Sequence, residues 1–304
     1  MNKVLNCGSL NYDRVYEVEH FVREEETILC KRYGEFIGGK GLNQSLALAR
    51  AGAEVSHLGA VGKDGDMLEA SLSEAGANTS FLHKVETVSG HAVIQRENGQ
   101  NCIIVYGGAN QSISKKMIDE AVQHFNKEDY LLLQNEISNL DYALQTAAQK
   151  GMKIVLNPSP ITEGLLQCPL DLVDLFVLNE VEGKALSGEL SDDYDIILQA
   201  LAEKYPKAEI VLTIGAKGVL YQGKGEKTAC SSFPEKVVDT TAAGDTFCGY
   251  YLACQCKGYS VEESLYYASM ASGYAVSKEG AAPSIPTWHE MKKYEEDYKR
   301  RKSG

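Results

Sequence analysis

Short apolar runs alternate with helical patterns along most of this chain. The runs lie at residues 92–94, 130–133, 153–156, 175–178 and 210–213. Helical spacing fills the intervals between them, as in residues 141–150 and 195–204. Continuous apolar strands separated by helices are typical of a parallel sheet that is covered on both faces. The pattern therefore predicts a single α/β domain over residues 1–304, with a doubly wound, mostly parallel sheet flanked by helices.

Two segments break this rhythm and alternate polar with apolar residues. They cover residues 13–33 and 89–105, and such alternation is typical of strands with one exposed face. We expect them to form a small β-sheet lid, built from about residues 13–35 and 89–107, beside the main sheet. Ligands of open parallel sheets collect at the carboxyl ends of the strands. The residues that follow each strand are therefore the candidates for chemistry.

Composition narrows the class of protein. The chain has 304 residues, 44% hydrophobic and 24% charged, which is enough for a core without disulfides or structural metals. Its net charge of -12 disfavours a nucleic-acid partner but leaves a small anionic substrate open. No stretch is long and apolar enough to predict a membrane span or a signal peptide. The eight scattered cysteines form no CxxC pair, so we expect idle thiols in the cytoplasm.

The segment 237–249 carries the strongest chemical signal. A β-rich run ends at Asp239, and the small residues Ala242, Ala243 and Gly244 precede a helix. Small side chains let the amides of a helix N-terminus approach a phosphate, and the helix dipole favours negative charge there. Asp245, in the first turn, could then accept a proton from an attacking hydroxyl. A simple capping carboxylate is the alternative that this pattern leaves open.

A glycine-rich turn at residues 34–41 is the second candidate. Residues 34–40 match GxxxxGK, but Gly41 stands where a P-loop has Ser or Thr, and the dinucleotide fingerprint fails as well. What remains is a turn that presents Lys40 and Asn43 to a pocket before a helix at 45–51. Both side chains suit sugar hydroxyls, although a plain strand-to-helix turn would explain the glycines equally.

Three further pieces follow predicted strands, and each has an ordinary structural alternative. Asn179 and Glu182 could approach Mg²⁺ and phosphates, or could cap a helix. The glycines of residues 213–218 could let the backbone approach a nucleotide, or could form a hairpin turn into 219–221. Glu136 could reach a sugar hydroxyl, or could be solvated in a loop.

Together these pieces are similar to a known family. In chain order they are residues 8–13, 38–43, 108–110, 136, 157–158, 179–182, 213–218 and 239–245. The ordered set resembles the ribokinase-like (PfkB) carbohydrate kinase family, and within it the enzymes that phosphorylate ribose. The resemblance implies ATP-dependent phosphoryl transfer to a primary hydroxyl of a pentose, D-ribose first. Deoxyribose, fructose or a nucleoside of the adenosine type are the alternatives, and a non-catalytic sugar-binding protein is the remote one.

The resemblance also implies a role for each matching residue. The sugar would be held by Asn11, Asp13, Gly39, Lys40, Gly41, Asn43 and Glu136. Asp245 would be the catalytic base, and Ala242, Ala243 and Gly244 would form the anion hole. The nucleotide would contact Asn179, Glu182, Thr213, Gly215, Gly218, Gly244 and Ser269, with Glu182 also acting indirectly on Mg²⁺. A monovalent cation, K⁺, would be bound by Asp239, Thr241, Ala275, Lys278, Gly280 and Ser284. The implied partners are MgATP, a small sugar and a second copy of the chain, paired through the lid.

Two features depart from the usual family pattern. Residues 23–27, Arg-Glu-Glu-Glu-Thr, replace the usual lid turn that contains Pro and Gly. Leu42 stands where the glycine-rich motif usually has a small residue. The first departure bears on the geometry and pairing of the lid, and the second on the shape of the sugar pocket.

Overall fold

The computed structural model describes residues 2–98, 100–233 and 236–303. The strands are β1 (Val4–Cys7), β2 (Asn11–Glu17), β3 (Arg32–Gly38), β4 (Val55–Val61), β5 (Asn78–Lys84), β6 (Gly90–Glu97), β7 (Gln100–Tyr106), β8 (Tyr130–Gln134), β9 (Lys153–Asn157), β10 (Leu175–Asn179), β11 (Glu209–Thr213), β12 (Val219–Gly223) and β13 (Glu226–Cys230). The helices are α1 (Lys40–Arg50), α2 (Asp66–Glu74), α3 (Lys115–Val122), α4 (Leu140–Lys150), α5 (Glu163–Leu166), α6 (Glu180–Ser187), α7 (Tyr194–Lys204), α8 (Ala243–Cys256), α9 (Val261–Ala275) and α10 (Trp288–Ser303). Short 3₁₀ turns cover Gly108–Ser112, Leu170–Leu172, Gly215–Lys217 and Ala282–Ser284.

The main sheet confirms the predicted α/β class. Its strand order is β13-β12-β11-β10-β9-β8-β1-β4-β5. Every neighbouring pair from β11 to β5 is parallel, whereas β12 and β13 join as antiparallel edge strands. The carboxyl ends of the parallel strands therefore lie along one edge, where the sequence directs the search for a site.

Alternate residues of each strand pack on opposite faces of the main sheet. In β11, Val211 joins the apolar cluster formed with α1, α8 and α9, whereas Ile210 and Leu212 join the cluster formed with α4 and α7. Burial on both faces explains why these strands are continuous apolar runs rather than alternating ones. Among the described helices, none is both long enough and apolar enough to cross a bilayer.

A second sheet, of order β3-β2-β6-β7, forms the lid. Its strands fall in the two alternating segments of the sequence with two exceptions. Strand β2 begins at Asn11, two residues before the predicted lid, and β3 continues to Gly38, three residues past the predicted end at 35. The apolar run 92–94 belongs to β6 of this lid and not to the main sheet, which corrects its grouping with the core strands. Three apolar residues in a row fit either environment, because a lid strand also buries one face. The last strand, β7, is exposed along its whole length.

Helix α1 begins at Lys40, five residues before the predicted start at 45. Gly39 has a φ of 94°, so it turns the chain sharply at the end of β3 and lets the helix begin at once. Gly41 is then helical, and a Cβ on it would lie 2.4 Å from the Ser9 nitrogen. The first turn of α1 therefore packs tightly against the connection between β1 and β2, and Asn43 lies on the helix rather than in a loop.

Candidate active site

Two cavities meet at the carboxyl edge of the main sheet. The larger, about 490 Å³, lies between the lid and the sheet, and the smaller, about 220 Å³, lies past the ends of β9, β10 and β11. Lys40, Ala242 and Asp245 line both cavities. The larger cavity is also lined by Asn11, Asp13, Gly39, Asn43, Glu136, Asp239, Thr241 and Gly280. The smaller is also lined by Asn157, Asn179, Glu182, Thr213, Ala243 and Gly244. The segment before α8 and the first turn of α8 therefore form a wall that the two cavities share, called the shared wall below.

Asp245 is buried in that wall, three residues into α8. Its Oδ2 accepts a hydrogen bond from Asn43 Nδ2 at 3.0 Å, and its Oδ1 accepts one from Gln44 Nε2 at 2.9 Å. Both bonds come from α1, and the N-terminus of α8 has no side-chain cap. The capping alternative is therefore not what the structure contains. The carboxylate is instead held in a fixed direction at the boundary of the two cavities.

Three carboxylates and one ammonium group surround the sugar side of this wall. Burial, and then the charges of Glu136 and Asp245, raise the pKa of Asp13 to about 6. Burial also raises the pKa of Glu136, whose Oε2 accepts bonds from the Ser9 hydroxyl and from the Lys40 amide at 3.3 Å. Burial opposes the charge of Lys40, but the three acidic neighbours Asp245, Glu136 and Glu182 outweigh it, and the pKa of Lys40 is raised. Lys40 therefore remains an ammonium group that faces both cavities.

The other predicted sugar residues divide into those at the cavity and those behind it. Asn11 lines the cavity, and its Oδ1 accepts a bond from Asn110 Nδ2 at 2.8 Å. Gly39 also lines the cavity. Gly41 is buried against Ser9 and lines neither cavity, because its place is the contact between α1 and the first strand connection.

On the nucleotide side, Asn179 and Glu182 form a reciprocal cap on α6. Asn179 Oδ1 accepts from the amides of Val181 and Glu182, both at 2.9 Å, and Glu182 Oε2 accepts from the Asn179 amide at 3.0 Å. The capping alternative is therefore correct in geometry. Both residues, together with Thr213, also line the smaller cavity, so the two interpretations do not exclude each other.

The loop after β11 is a hairpin turn, which is the structural alternative that the sequence leaves open for residues 213–218. Gly215 and Gly218 have φ values of 57° and 110°, and β12 returns antiparallel to β11. A Cβ on Gly218 would lie 2.1 Å from the Cys230 carbonyl oxygen, so close backbone contact requires glycine there. Ser269 is buried on α9 near Cys230. As far as the described residues form them, the walls of the two cavities do not include Gly215, Gly218 or Ser269.

Asp239 links two loops at the base of the lid. Its Oδ1 accepts from the amide and the hydroxyl of Thr241 at 2.9 and 2.6 Å, and its Oδ2 accepts from the Gly280 amide at 3.1 Å. Burial would raise the pKa of Asp239, but these bonds outweigh it and the pKa is lowered. The cap on Thr241 is therefore present, and the same carboxylate joins the segment before α8 to the segment after α9.

The remaining predicted cation ligands lie at the end of α9 and on the segment that follows it. The Ala275 carbonyl accepts from the Lys278 amide at 3.0 Å, and the buried Ser284 hydroxyl donates to the Ala281 carbonyl at 2.7 Å. The structure thus brings five of the six residues onto two adjacent segments beside the shared wall, and Ala275 is the last residue of α9, just before the second segment.

The sequence of this chain matches the model of one protein family over most of its length. Residues 1–288 match the pfkB family carbohydrate kinase. The chain belongs to that family. This kinase is 34% identical to a ribokinase of Haemophilus influenzae over 299 residues, which cover 95% of this chain and 97% of that protein. It is 30% identical to a deoxyribokinase of Salmonella typhi, over 94% of this chain and 96% of that one.

Solved structures agree with the family and the fold. A ribokinase of Cryptococcus neoformans in complex with ADP superposes with a TM-score of 0.85 at 32% identity, covering 96% of this kinase and 99% of that chain. An Arabidopsis thaliana ribokinase complexed with ribose and ATP gives 0.83 at 29% identity, covering 96% and 98%. This protein is therefore an ATP-dependent sugar kinase with a ribokinase-like fold.

Sequence reasoning missed several polar residues of this kinase's site. Ser9 bonds Glu136, Gln44 bonds Asp245, and Asn110 bonds Asn11. Ser9 and Asn110 lie in two of the stretches that resemble the family, but the sequence alone assigned no role to either residue. Gln44 carries a weaker signal, a polar side chain among the apolar positions of α1, and only the fold gives it a partner.

Proposed function

We propose that this kinase transfers the γ-phosphoryl group of MgATP to the primary hydroxyl, O5, of D-ribose. The observation that carries the proposal is the position of Asp245, a buried carboxylate in the wall shared by two cavities. A base at such a boundary can meet a sugar hydroxyl on one side and a phosphoryl group on the other. The names of the relatives, and the ribose and ATP bound to the Arabidopsis protein, support the choice of substrates.

In this proposal the larger cavity binds the sugar. Asn11, Asp13 and Glu136 hydrogen-bond its hydroxyls, and Asn43 and Lys40 complete the site together with the backbone of Gly39. Gly41 supports this site from behind, through its close contact with Ser9. Asp245 accepts the proton of the attacking hydroxyl, a role that a positioned carboxylate performs through geometry as much as basicity. Because Asn43 also donates to Asp245, sugar binding and base orientation share one residue.

The smaller cavity binds the phosphate groups. Ala242, Ala243 and Gly244 present the N-terminus of α8, where backbone amides and the helix dipole stabilise the negative charge of phosphoryl transfer. A Cβ at Gly244 would meet no atom within 4 Å, which leaves space beside these amides. Lys40 adds a positive charge, and Thr213, Gly215, Gly218 and Ser269 lie along the path proposed for the rest of the nucleotide.

The smaller cavity also fits Mg²⁺ bound to ATP. Its wall offers oxygen donors from Glu182, Asn179 and Thr213, which suit a hard cation. Among the described residues no group of three His, Cys, Asp or Glu could hold a metal alone. This agrees with a magnesium ion that arrives with the nucleotide, keeps several waters and neutralises phosphate charge, with Glu182 acting through water.

We also propose that K⁺ binds beside the anion hole. The donor set of Asp239, Thr241, Ala275, Lys278, Gly280 and Ser284 consists of oxygens, mostly backbone carbonyls, which suits a monovalent cation. The ion would add a charge where Asp239 already ties the two loops together. These contacts would hold the segment before α8 in the shape that directs its amides into the smaller cavity.

We place the protein in the cytoplasm as a homodimer that pairs through the lid. Strand β7 is an edge strand of the lid and is exposed along its length, including Ile103, Ile104 and Val105. An exposed apolar edge strand is normally covered in a native assembly. The eight cysteines are all unpaired, as expected in a reducing compartment.

A coupled assay of ADP release across ribose, 2-deoxyribose, fructose and adenosine tests the substrate. We expect the highest kcat/KM with ribose. If Asp13 accepts from the hydroxyls at C2 and C3, deoxyribose leaves one bond unmade, which costs about 1–3 kcal/mol, or roughly 5- to 150-fold in kcat/KM. Equal or better turnover of deoxyribose would contradict ribose as the substrate. Sugar binding without sugar-dependent ADP release would instead support a non-catalytic binding protein.

A further inference from the structure

We propose that Gln44 is a positioning residue for the reaction, and that a chain of buried amides fixes the direction in which Gln44 holds the Asp245 carboxylate. The inference rests on the proposed role of Asp245 as the base. Gln44 lies on α1 directly after Asn43, and its side chain is fully buried. It lines neither of the two cavities described, so its side chain reaches the site only through its bonds to Asp245 and to Asn157, which lines the smaller cavity.

The contacts of Gln44 fix which way its amide points. Its Nε2 lies 2.9 Å from Asp245 Oδ1 and 3.1 Å from Asn157 Oδ1. An ionised carboxylate only accepts hydrogen bonds, so the NH₂ group must face Asp245. Both hydrogens of that group are then used, and the amide oxygen must find its own donor elsewhere.

That donor is Gln134, at the carboxyl end of β8. Its Nε2 lies 2.6 Å from Gln44 Oε1 and 3.0 Å from Asn6 Oδ1, and both Gln134 and Asn6 are fully buried. Rotating the Gln44 amide by half a turn would set NH₂ against NH₂ at Gln134 and oxygen against oxygen at Asp245. Unpaired buried polar groups are costly, so one orientation is strongly preferred.

The chain continues away from the site and ends at a neutral histidine. Asn6 Nδ2 donates to Ser45 Oγ at 2.8 Å, and Ser45 Oγ lies 2.8 Å from His57 Nδ1. His57 Nε2 faces the Gly8 carbonyl at 3.2 Å, so this nitrogen carries the hydrogen and Nδ1 accepts. Burial lowers the pKa of His57 to about 4, which agrees with this neutral tautomer. The direction of each bond in the chain is therefore determined.

The charges around Asp245 explain why such support is useful. Asp13 faces it from β2 and Glu136 from the segment after β8, and both oppose a third negative charge. Lys40 on α1 favours that charge, and the Cys248 thiol lies close on α8. Two N–H donors from α1 offset the repulsion. Of these donors Asn43 also faces the sugar cavity, whereas the Gln44 side chain faces neither cavity and hydrogen-bonds only Asp245 and Asn157 among the described residues that line them.

The test replaces Gln44 with Met, which has similar length but no hydrogen-bonding group, and measures kcat, the sugar KM and the pH profile of kcat. We expect kcat to fall about tenfold or more, the sugar KM to change less than threefold, and the acidic limb to move up by about one pH unit. The Gln44→Glu variant keeps the shape and adds a carboxylate, so its acidic limb should move further in the same direction. This second variant decides the question if Gln44→Met does not fold.

Two further variants make the result specific. Gln255→Met carries the same substitution at a half-buried glutamine of α8 that bonds Ser264 far along the helix, and it should keep the pH profile of the unmodified enzyme. Asp245→Asn, measured in parallel, tests the base itself. If Asp245→Asn is inactive while both Gln44 variants keep a normal kcat and a normal acidic limb, the inference about Gln44 is wrong and the proposed function stands.

If Asp245→Asn retains activity, Asp245 is not the base and the proposed function loses its main support. A fall in melting temperature and active fraction, with no shift of the limb, would show that Gln44 is only structural.

Discussion

Sugar binding should weaken at acid pH because Asp13 must be ionised to accept two hydroxyl hydrogens. In the sugar-free protein its pKa is about 6, raised by burial and then by Glu136 and Asp245. With that value Asp13 is about 90% ionised at pH 7 and about 10% ionised at pH 5. If only the ionised form binds, the ribose dissociation constant should rise about tenfold between pH 7 and pH 5.

Calorimetric titration of ribose at pH 5, 6 and 7 measures this effect, with Asp13→Asn as the comparison. The variant should bind ribose weakly at every pH and should lose most of the pH dependence. Two results would refute the reasoning: unchanged affinity of the unmodified protein from pH 7 to pH 5, or an equally steep dependence in Asp13→Asn. The second result would assign the titration to Glu136, whose pKa is also raised by burial.

The same carboxyl group predicts a change in stability without sugar. Its pKa is higher in the folded protein than the ordinary value of 3.8, so the folded state holds the proton more tightly. Ionisation therefore costs stability above pH 6, by up to about 3 kcal/mol, and costs nothing below about pH 4. Asp13→Asn should unfold at higher denaturant concentration than the unmodified protein at pH 7, and the two should converge near pH 4. Identical unfolding midpoints at pH 7 would argue against a buried carboxylate penalty.

Three further predictions follow from individual contacts. Ser9→Ala removes the hydroxyl that bonds Glu136, so the ribose KM should rise about tenfold with little change in the ATP KM; equal changes would contradict a sugar-side role. Replacing Na⁺ by K⁺ at constant ionic strength should raise kcat, and Asp239→Ala should remove this difference. Equal kcat in both salts, together with full activity of Asp239→Ala, would show that Asp239 only caps the turn at Thr241. Gly218→Ala should destabilise the fold by more than 2 kcal/mol, whereas Gly215→Ala, with open space around its Cβ, should cost about 1 kcal/mol in a denaturant titration.

The main sheet could be predicted because its strands repeat the same pattern of buried apolar residues. Strands such as β8 and β11 are buried on both faces, so their apolar runs stand out against the helices. The start of α1 was not predictable from the same pattern. The glycines at 39 and 41 read as a loop, and only the contact of Gly41 with Ser9 shows that close packing, not flexibility, selects glycine there.

The candidate site was predictable where a motif joins a residue type to a strand end. Asp13, Glu136 and the pair Lys40 and Asn43 come from three separate parts of the chain, and the fold brings them to one cavity. The amide chain behind Asp245 was not predictable. Gln44 and Gln134 are 90 residues apart, and nothing in the sequence indicates which residue a buried side-chain amide will contact. Hydrogen-bond direction becomes visible only when the donors and acceptors are placed together.

The central claim is that Asp245 accepts the proton of the sugar hydroxyl, and Asp245→Asn tests it most directly. The variant keeps the size of the side chain and removes its basicity. Asp141→Asn is the matched control, because Asp141 is an exposed acidic residue in the first turn of α4. We expect Asp245→Asn to bind ribose in calorimetry within a few-fold of the unmodified protein while kcat falls about 10²- to 10⁴-fold. The Asp141 variant should keep full activity. A kcat near normal in purified Asp245→Asn would contradict the account.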